Sequence, residues 1–232
     1  MSSVVSTLCG HKRLENETKF AYRSPSKLIL IAMHEFLTRA KFPIWSQILP
    51  LGESAFIIRI RYDDYVDYCI PLTAIKLGES WVNDTLSFSE ATVGSANLQI
   101  LLKLIADDRE LSFDSRNGKR FLICVHESEQ HTLGALVMGD MLRRQGHSLK
   151  IKLNAKFSEI CNLQDANDYD AIFFSCASYL SVMETASCAK KIRQAFRYDL
   201  PIFLGGSNIE KISEGIDLKD FDLVTSSLEA VV

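Results

Sequence analysis

The sequence predicts a helical bundle followed by a doubly wound α/β domain with a parallel sheet. Apolar residues in the first half recur at helical spacing, whereas the second half contains short apolar runs that alternate with helical segments. A charged, glycine-containing connector from Asp107 to Lys119 separates the halves. We therefore expect a flexible arm over residues 1–26, a helical bundle over 27–113, and a Rossmann-like or flavodoxin-like domain over 114–232.

The expected bundle starts after a polar, aperiodic stretch. One apolar helical face begins at Lys27 and ends before Pro43, and the segment from Gly52 to Asp63 fits either a helix or a strand. Residues 64–81 carry apolar side chains at offsets of four, four, three and four, which predicts a helix that Pro71 kinks.

The clearest helix of the first half is expected to begin at a capping box. Ser87 and Glu90 have the spacing of such a box, and the helix should run to about Ala106. The side chains expected to face inward are Val93, Leu98, Leu101, Leu102 and Ile105.

Five short runs in the second half predict the strands of a parallel sheet. They cover residues 120–125, 148–153, 171–175, 201–206 and 223–225, with helices over 133–145 and 181–196. Ligands of such sheets lie outside the carboxyl ends of the strands. The loops after Val125, Phe174 and Leu204 are therefore the places to search for a site.

Composition excludes several classes of protein. The 232-residue chain has a net charge of −3 and a pI near 6.0, which argues against a surface that is basic throughout and binds nucleic acid. Neither a secretory signal nor an apolar run long enough for a bilayer is visible, so we expect a cytoplasmic protein with no membrane partner. The six cysteines include no CxxC pair, which leaves a zinc site unsupported.

The loop after the first strand carries a candidate metal ligand. His131 stands just before a helix, and Glu129 is placed to accept a hydrogen bond from its ring. Gly134 leaves the start of that helix without a side chain, so a bulky group can approach the backbone. The alternative is an ordinary solvated loop that happens to contain a histidine.

Small residues end the third and fourth strands. Ser175 and Ala177 lie in the segment Ser-Cys-Ala-Ser, and Gly205 and Gly206 end the fourth strand. Side by side at one sheet edge, they predict a slot that can take the long tail of a ligand, with a serine hydroxyl as partner. The alternative is tight helix–sheet packing with a glycine-rich turn.

These three segments resemble the D-x-H-x-x-G, S-x-L and G-G pattern of cobalamin-binding domains. The resemblance implies that His131 is the lower axial ligand of cobalt and that Glu129 orients it. It also implies that Ser175, Gly205 and Gly206 line the pocket of the benzimidazole tail. Two residues depart from the pattern: Glu129 replaces the usual aspartate, and Ala177 replaces the usual leucine, which makes a roomier pocket.

The helical half adds a second resemblance. The segment from Leu77 to Gly94 is similar to L-G-x-x-W-x-x-D-x-x-S-F-x-E-x-T-x-G of PpaA/AerR-type regulators, which modulate photosynthesis-gene repressors. The resemblance makes Trp81 and Phe88 candidates for covering the corrin of adenosylcobalamin or hydroxocobalamin. On the residues alone, Trp81 is one aromatic on an apolar helical stripe, and such a residue is usually part of the core.

The resemblance implies a light-responsive transcriptional antirepressor that binds cobalamin and is not an enzyme. Its partner would be a repressor protein of PpsR/CrtJ type, and the basic helix from Lys190 to Arg197 leaves direct contact with DNA open. The alternatives are a corrinoid carrier subunit for a methyltransferase and a haem-binding redox sensor in which His131 is the axial ligand.

Overall fold

The computed structural model describes residues 62–108, 118–161, 169–195 and 200–227. They fall into two compact units, a helical unit before residue 112 and an α/β unit after it. The expected arm over 1–26, the helix from Lys27 and residues 52–61 lie outside the described residues. In the described part of the chain, no helix combines the length and apolarity needed to span a bilayer.

The helical unit contains two main helices, α1 (Ile70–Val82) and α2 (Phe88–Asp108). A short helical turn (Tyr62–Asp64) and a π-helical turn (Tyr65–Cys69) precede α1. Pro71 is the second residue of α1, and because helical winding continues from the π-helical turn before it, its missing backbone N–H costs one helical hydrogen bond. The predicted kink at Pro71 thus lies next to the point where π-helical winding changes to α-helical winding.

The predicted capping box is confirmed and sets the start of α2. The Ser87 backbone N–H donates to Glu90 Oε2 (2.8 Å), and the Glu90 N–H donates to Ser87 Oγ (3.2 Å). Gly94 lets α2 approach α1 closely, because a Cβ there would lie 2.7 Å from Leu77 Cδ1. Of the side chains expected inside, those of Leu98, Leu101, Leu102 and Ile105 are buried, whereas Val93 is partly exposed.

The α/β unit is built on a five-stranded sheet with the order β2-β1-β3-β4-β5, in which all neighbours are parallel. The strands are β1 (Arg120–His126), β2 (Ser148–Ala155), β3 (Ala171–Ser175), β4 (Ile202–Gly205) and β5 (Leu223–Thr225). This confirms the predicted doubly wound α/β fold with the flavodoxin-like strand order.

Helices follow the strands of this sheet. They are α3 (Leu133–Arg144), α4 (Phe157–Cys161), α5 (Tyr179–Ala195) and α6 (Ile209–Ile212). The helix expected from residue 181 begins two residues earlier, and the short helices α4 and α6 were not predicted because they lack a full apolar repeat.

Two apolar layers sandwich the sheet, because successive residues of a strand face opposite sides. Phe121, Ile123 and Val125 of β1 join a core with α3. Leu122 and Cys124 join the opposite core with α5. Burial on both faces explains why β1 reads as a continuous apolar run.

Candidate functional site

The candidate site lies where the strand order reverses, at the carboxyl ends of β1 and β3. The connection after β1 leads to α3 on one face of the sheet, and the connection after β3 leads to α5 on the other. The two loops diverge and leave a crevice, which is where ligands of doubly wound sheets bind. His131 lies in the first loop and Ser175 ends β3.

Glu129 holds the imidazole of His131 in one orientation. Glu129 Oε1 is 2.6 Å from His131 Nδ1 and also accepts the His131 backbone N–H at 2.9 Å. The glutamate side chain is 1% exposed, whereas that of His131 is 73% exposed. A buried carboxylate therefore positions an imidazole that projects from the sheet edge.

The other oxygen of Glu129 binds the start of α5. Glu129 Oε2 accepts the Ala177 backbone N–H (2.7 Å) and the Ser181 hydroxyl (2.6 Å), with the Ser178 hydroxyl at 3.4 Å. Ser178 Oγ in turn accepts the Ser181 N–H at 3.2 Å, as an N-cap does. The carboxylate thus lies at a helix N-terminus, where the backbone dipoles favour a negative charge.

These contacts determine the charges of the pair. Burial acts to raise the pKa of the Glu129 carboxyl, but hydrogen bonds from His131, Ser181 and Ala177 outweigh burial and hold that pKa far below its usual range. The hydrogen bond to Glu129 raises the pKa of His131, against the effect of burial. Because Glu129 is ionised, Nδ1 of His131 carries the proton, and Nε2 is the nitrogen left to bind a metal.

Gly134 and Ser175 face each other across the crevice. A Cβ built on Gly134 would lie 3.7 Å from Ser175 Oγ and would meet nothing else within 4 Å. Gly134 is exposed and Ser175 is half-buried, so both can be reached from solvent. A narrow part of a ligand can pass here and meet the serine hydroxyl.

Gly205, the last residue of β4, and Gly206, which follows it, have different surroundings. A Cβ on Gly206 would lie 1.7 Å from the Cys176 carbonyl oxygen, whereas one on Gly205 would meet Thr225 O at an ordinary 3.5 Å. The Cys176 N–H donates to Gly205 O (2.9 Å). The missing side chain at Gly206 therefore lets the loops after β3 and β4 approach each other, and the expectation that the two glycines line a pocket for a ligand tail stays a prediction.

Trp81 and Phe88 lie in the helical unit, at the end of α1 and the start of α2. Their rings make an edge-to-face contact with centroids 5.8 Å apart. Trp81 is 48% exposed and Phe88 is 67% exposed, so the interpretation of Trp81 as a core residue is wrong. The pair forms an exposed aromatic surface of the helical unit.

Two other histidines lie among the described residues, and both have local partners. His126 Nδ1 accepts the Ser128 N–H and lies 2.8 Å from the Ser128 hydroxyl. His147 Nδ1 accepts the Lys119 N–H at 3.2 Å, and its ring packs against Phe121 with centroids 4.9 Å apart. Both act as hydrogen-bonded scaffold, and His34 lies outside the described residues.

The basic helix expected to reach nucleic acid is partly engaged inside the protein. Arg193 donates to the carbonyl oxygens of Leu200 (2.7 Å) and Asp220 (3.1 Å) and pairs with Asp222. Lys190 is exposed, and Arg197 lies outside the described residues. These contacts of Arg193 attach α5 to the chain segments that precede β4 and β5.

Sequence reasoning missed Ser178 and Ser181, which contact Glu129 from 49 and 52 positions away. Their signal was a pair of serines three positions apart at the start of a helix, which is typical of helix N-termini. Nothing in that pattern identified Glu129 as the partner. In the described part of the chain, no group of three or more His, Cys, Asp or Glu side chains is arranged to hold a metal ion.

Comparison with solved structures identifies the fold. The chain aligns with the monomethylamine corrinoid protein of Methanosarcina barkeri at a TM-score of 0.66 and 13% identity, over 88% of this chain and 93% of that one. The two proteins share this fold. A cobalamin-binding protein from Desulfitobacterium hafniense aligns at a TM-score of 0.42 with 11% identity, over 86% of this chain and 93% of that one.

Sequence comparison gives one relative of unknown function. An uncharacterized 20.5 kDa protein in the bchF-crtJ intergenic region of Rhodobacter capsulatus is 29% identical over 177 residues, 75% of this chain and 91% of the relative. The sequence matches no model of a known protein family.

Proposed function

We propose that the protein binds cobalamin, with His131 Nε2 as the lower axial ligand of cobalt. The main support is the Glu129–His131 pair, which lies where the strand order of the sheet reverses. The imidazole of His131 is exposed, and the hydrogen bond from Nδ1 to Glu129 leaves Nε2 available to a metal. The fold shared with a corrinoid protein supports it. A single imidazole suits a metal whose other ligands come from a macrocycle.

Each residue of the site would have a separate task toward cobalamin. Glu129 fixes the His131 tautomer and increases the basicity of Nε2. Gly134 and Ser175 border the crevice that would take the tail, with the Ser175 hydroxyl as its hydrogen-bond partner. Bound cobalamin would supply a cobalt centre with an upper ligand that light or a partner can remove. That Trp81 and Phe88 cover the corrin stays a prediction from the resemblance of their segment.

Absorption spectroscopy tests the axial ligand. The purified full-length chain is mixed separately with hydroxocobalamin, adenosylcobalamin and haemin, and spectra are recorded in the dark and after illumination. We expect a corrinoid spectrum with the shift of imidazole ligation, and its loss in His131→Ala. His147→Gln is the control, because His147 packs beside Lys119 at the opposite edge of the sheet.

Two outcomes would count against the proposed site. If His131→Ala retained cobalamin with an unchanged spectrum, His131 would not be the axial ligand. A stable haem complex that forms in preference to the corrinoid would favour the redox-sensor alternative.

We also propose that the protein is a transcriptional antirepressor and not an enzyme. The support is the relative in the bchF-crtJ intergenic region, together with the similarity of the Leu77–Gly94 segment to PpaA/AerR-type regulators. In this proposal the cobalamin-loaded chain contacts a repressor of PpsR/CrtJ type and releases it from DNA. Light would change the upper ligand and shift the populations of two conformations.

A mobility-shift assay with the repressor and its operator tests the antirepressor role. We expect release of the repressor by the loaded chain in one light state, and no release by His131→Ala. Binding of this chain to the operator without repressor would instead indicate direct DNA contact, which Lys190→Glu should then weaken.

A corrinoid carrier is the second candidate, because the monomethylamine corrinoid protein has the same fold. The carrier proposal predicts that the loaded chain, its cobalt first reduced to Co(I) by an added reductant, accepts the methyl group of a methylated amine when a methyltransferase is added in trans, and the demethylated amine is released. Accumulation of the methylated corrinoid would favour the carrier over the antirepressor.

A further inference from the structure

The outer side of β2 is an open strand edge that the site described above does not use. β2 comes first in the sheet order, and β1 is its one neighbour among the described strands. It runs over eight residues, of which Ala155 alone is buried, whereas β5 at the opposite edge has three. A long open edge presents unpaired backbone groups to any extended chain that meets it. We call residues 148–153 on this side the β2 edge.

The backbone of the β2 edge has hydrogen-bonding groups that point away from the sheet. Ser148 faces β1, because its N–H donates to the Lys119 carbonyl oxygen at 2.8 Å. The backbone groups of alternate residues point to opposite sides of a strand, so those of Leu149 and Ile151 point away from β1. Within the described ranges, no hydrogen bond from outside the sheet reaches the backbone of residues 149–153. The edge therefore offers donors and acceptors to an added strand.

The side chains of the β2 edge differ between its two faces. Lys150 and Lys152 lie on the face of the sheet that carries α5, and among the described residues neither forms an ion pair. Leu149 and Ile151 pack against the core on the α3 side. Leu153 is 43% exposed, although it is a large apolar side chain. The edge thus presents cations on one face and apolar groups on the other.

This charge pattern favours an acidic partner over a second copy of the chain. Two β2 strands that pair antiparallel about a two-fold axis at Ile151 would place Lys150 of one copy opposite Lys152 of the other. Like charges directly opposite each other destabilise a strand pair, whereas opposite charges stabilise it. A strand that alternates acidic and apolar residues would place its carboxylates beside the lysines and its apolar side chains on the other face.

We propose that the β2 edge binds an extended acidic segment of a protein partner, which adds to the sheet as a sixth strand. Its backbone bonds to Leu149 and Ile151, and its carboxylates pair with Lys150 and Lys152. The pairing ends at Asn154, where a φ of 55° and a register shift interrupt the regular strand. This inference goes beyond the proposed cofactor site and does not rest on cobalamin binding.

A synthetic peptide tests the charge recognition. The labelled peptide Thr-Glu-Val-Glu-Val-Glu-Val-Thr and an analogue with lysine in place of glutamate are titrated with the full-length chain at low salt, and fluorescence anisotropy reports binding. We expect the acidic peptide alone to bind, and Lys150→Glu to weaken it by about three- to fivefold, because an attractive pair becomes a repulsive one. Lys211→Glu is the matched control, since this exposed lysine lies on α6, which contacts β5 at the opposite edge.

Backbone methylation of the peptide tests the strand pairing. Two analogues of the acidic peptide carry N-methyl groups on alternate residues, one on the odd and the other on the even positions. An added strand directs only every second N–H toward β2, so we expect one analogue to lose binding by at least about tenfold and the other to keep it. Equal binding of both analogues would show attraction between charges without strand addition and would overturn the proposal.

Three further outcomes would also overturn it. The first is equal affinity of the wild type and Lys150→Glu for the acidic peptide, and the second is equal binding of the acidic and basic peptides. The third is a 20-base-pair DNA duplex that displaces the peptide and loses affinity in Lys150→Glu, which would assign the lysines to nucleic acid. The chain is used without cofactor, so none of these results depends on whether it binds cobalamin.

Discussion

At the residue scale, Glu129 connects the candidate ligand to the rest of the unit. Its two oxygens accept hydrogen bonds from two backbone N–H groups, from the His131 ring and from the Ser181 hydroxyl. An aspartate carries the same carboxylate one methylene closer to the backbone. The glutamate that departs from the cobalamin-domain pattern therefore bridges the loop after β1 and the start of α5.

Glu129→Gln should destabilise the protein even without a cofactor. The amide has one accepting oxygen, so in either orientation its NH₂ group opposes N–H or O–H donors that the carboxylate satisfied. We expect a loss of about 2–4 kcal/mol in the free energy of unfolding, measured by urea denaturation. Ser181→Ala, which removes one of these donors, should cost about 1–2 kcal/mol. Equal midpoints for Glu129→Gln and wild type would show that the network contributes nothing to stability.

His147 should make stability depend on pH. Burial, followed by the charge of Lys119, lowers the pKa of His147 in the folded chain, while Asp170 opposes them. Because the folded pKa lies below the unfolded value of about 6.5, the neutral form contributes stability above that pH, and the contribution is lost as pH falls through the folded pKa. Asn at this position keeps an acceptor for the Lys119 N–H without titrating.

Urea unfolding of wild type and His147→Asn at pH 8, 6 and 5 measures this effect. The wild type should lose more stability than the variant over the acid step. Parallel loss in both proteins would assign the pH dependence to other groups.

At the element scale, the approach of the loops after β3 and β4 depends on a missing side chain. Gly206→Ala would place a Cβ 1.7 Å from the Cys176 carbonyl oxygen and 2.8 Å from its carbon, so backbone must move. We expect a loss of about 1–3 kcal/mol in thermal or urea unfolding. Gly78→Ala is the control, because a Cβ there meets nothing within 4 Å and a helix prefers alanine by about 0.5–1 kcal/mol. Similar midpoints for the two variants would contradict the steric argument.

Helices and strands were predicted correctly where a local sequence pattern determines them. The runs of β3 and β5 were predicted with their observed bounds because buried parallel strands are apolar on both faces. The capping box was readable because its two residues are three positions apart. The π-helical turn before Pro71 was not predicted, because the spacing of apolar residues does not distinguish an α-helical turn from a wider π-helical one.

The candidate site was only partly predictable for the same reason. Glu129 and His131 are two positions apart, so their contact was expected from the sequence. Ser181 and the N–H of Ala177 reach Glu129 only after β3 pairs with β1, and no local pattern encodes that pairing. Trp81 fitted an apolar stripe, but periodicity alone does not say which residues at the end of a helix remain exposed.

At the scale of the whole molecule, the two compact units predict independent folding of the α/β part. A fragment covering Ser112–Val232 contains the complete sheet and both apolar layers. We expect cooperative unfolding with a free energy of about 5–10 kcal/mol, measured by circular dichroism in urea. A non-cooperative transition with strong binding of a hydrophobic dye would show that the α/β unit needs the helical unit to fold.

The sequence separation of 52 residues between Glu129 and Ser181 also affects the order in which contacts form during folding. The His131 loop and β1 are contiguous, but the carboxylate finds its second set of partners only when a distant segment has docked through the β1–β3 pairing. Closing so long a loop costs chain entropy that later contacts must recover, so such contacts form late. An oriented imidazole is therefore a product of nearly complete folding. A cofactor would enter a finished protein and would not act as the nucleus on which the chain collapses.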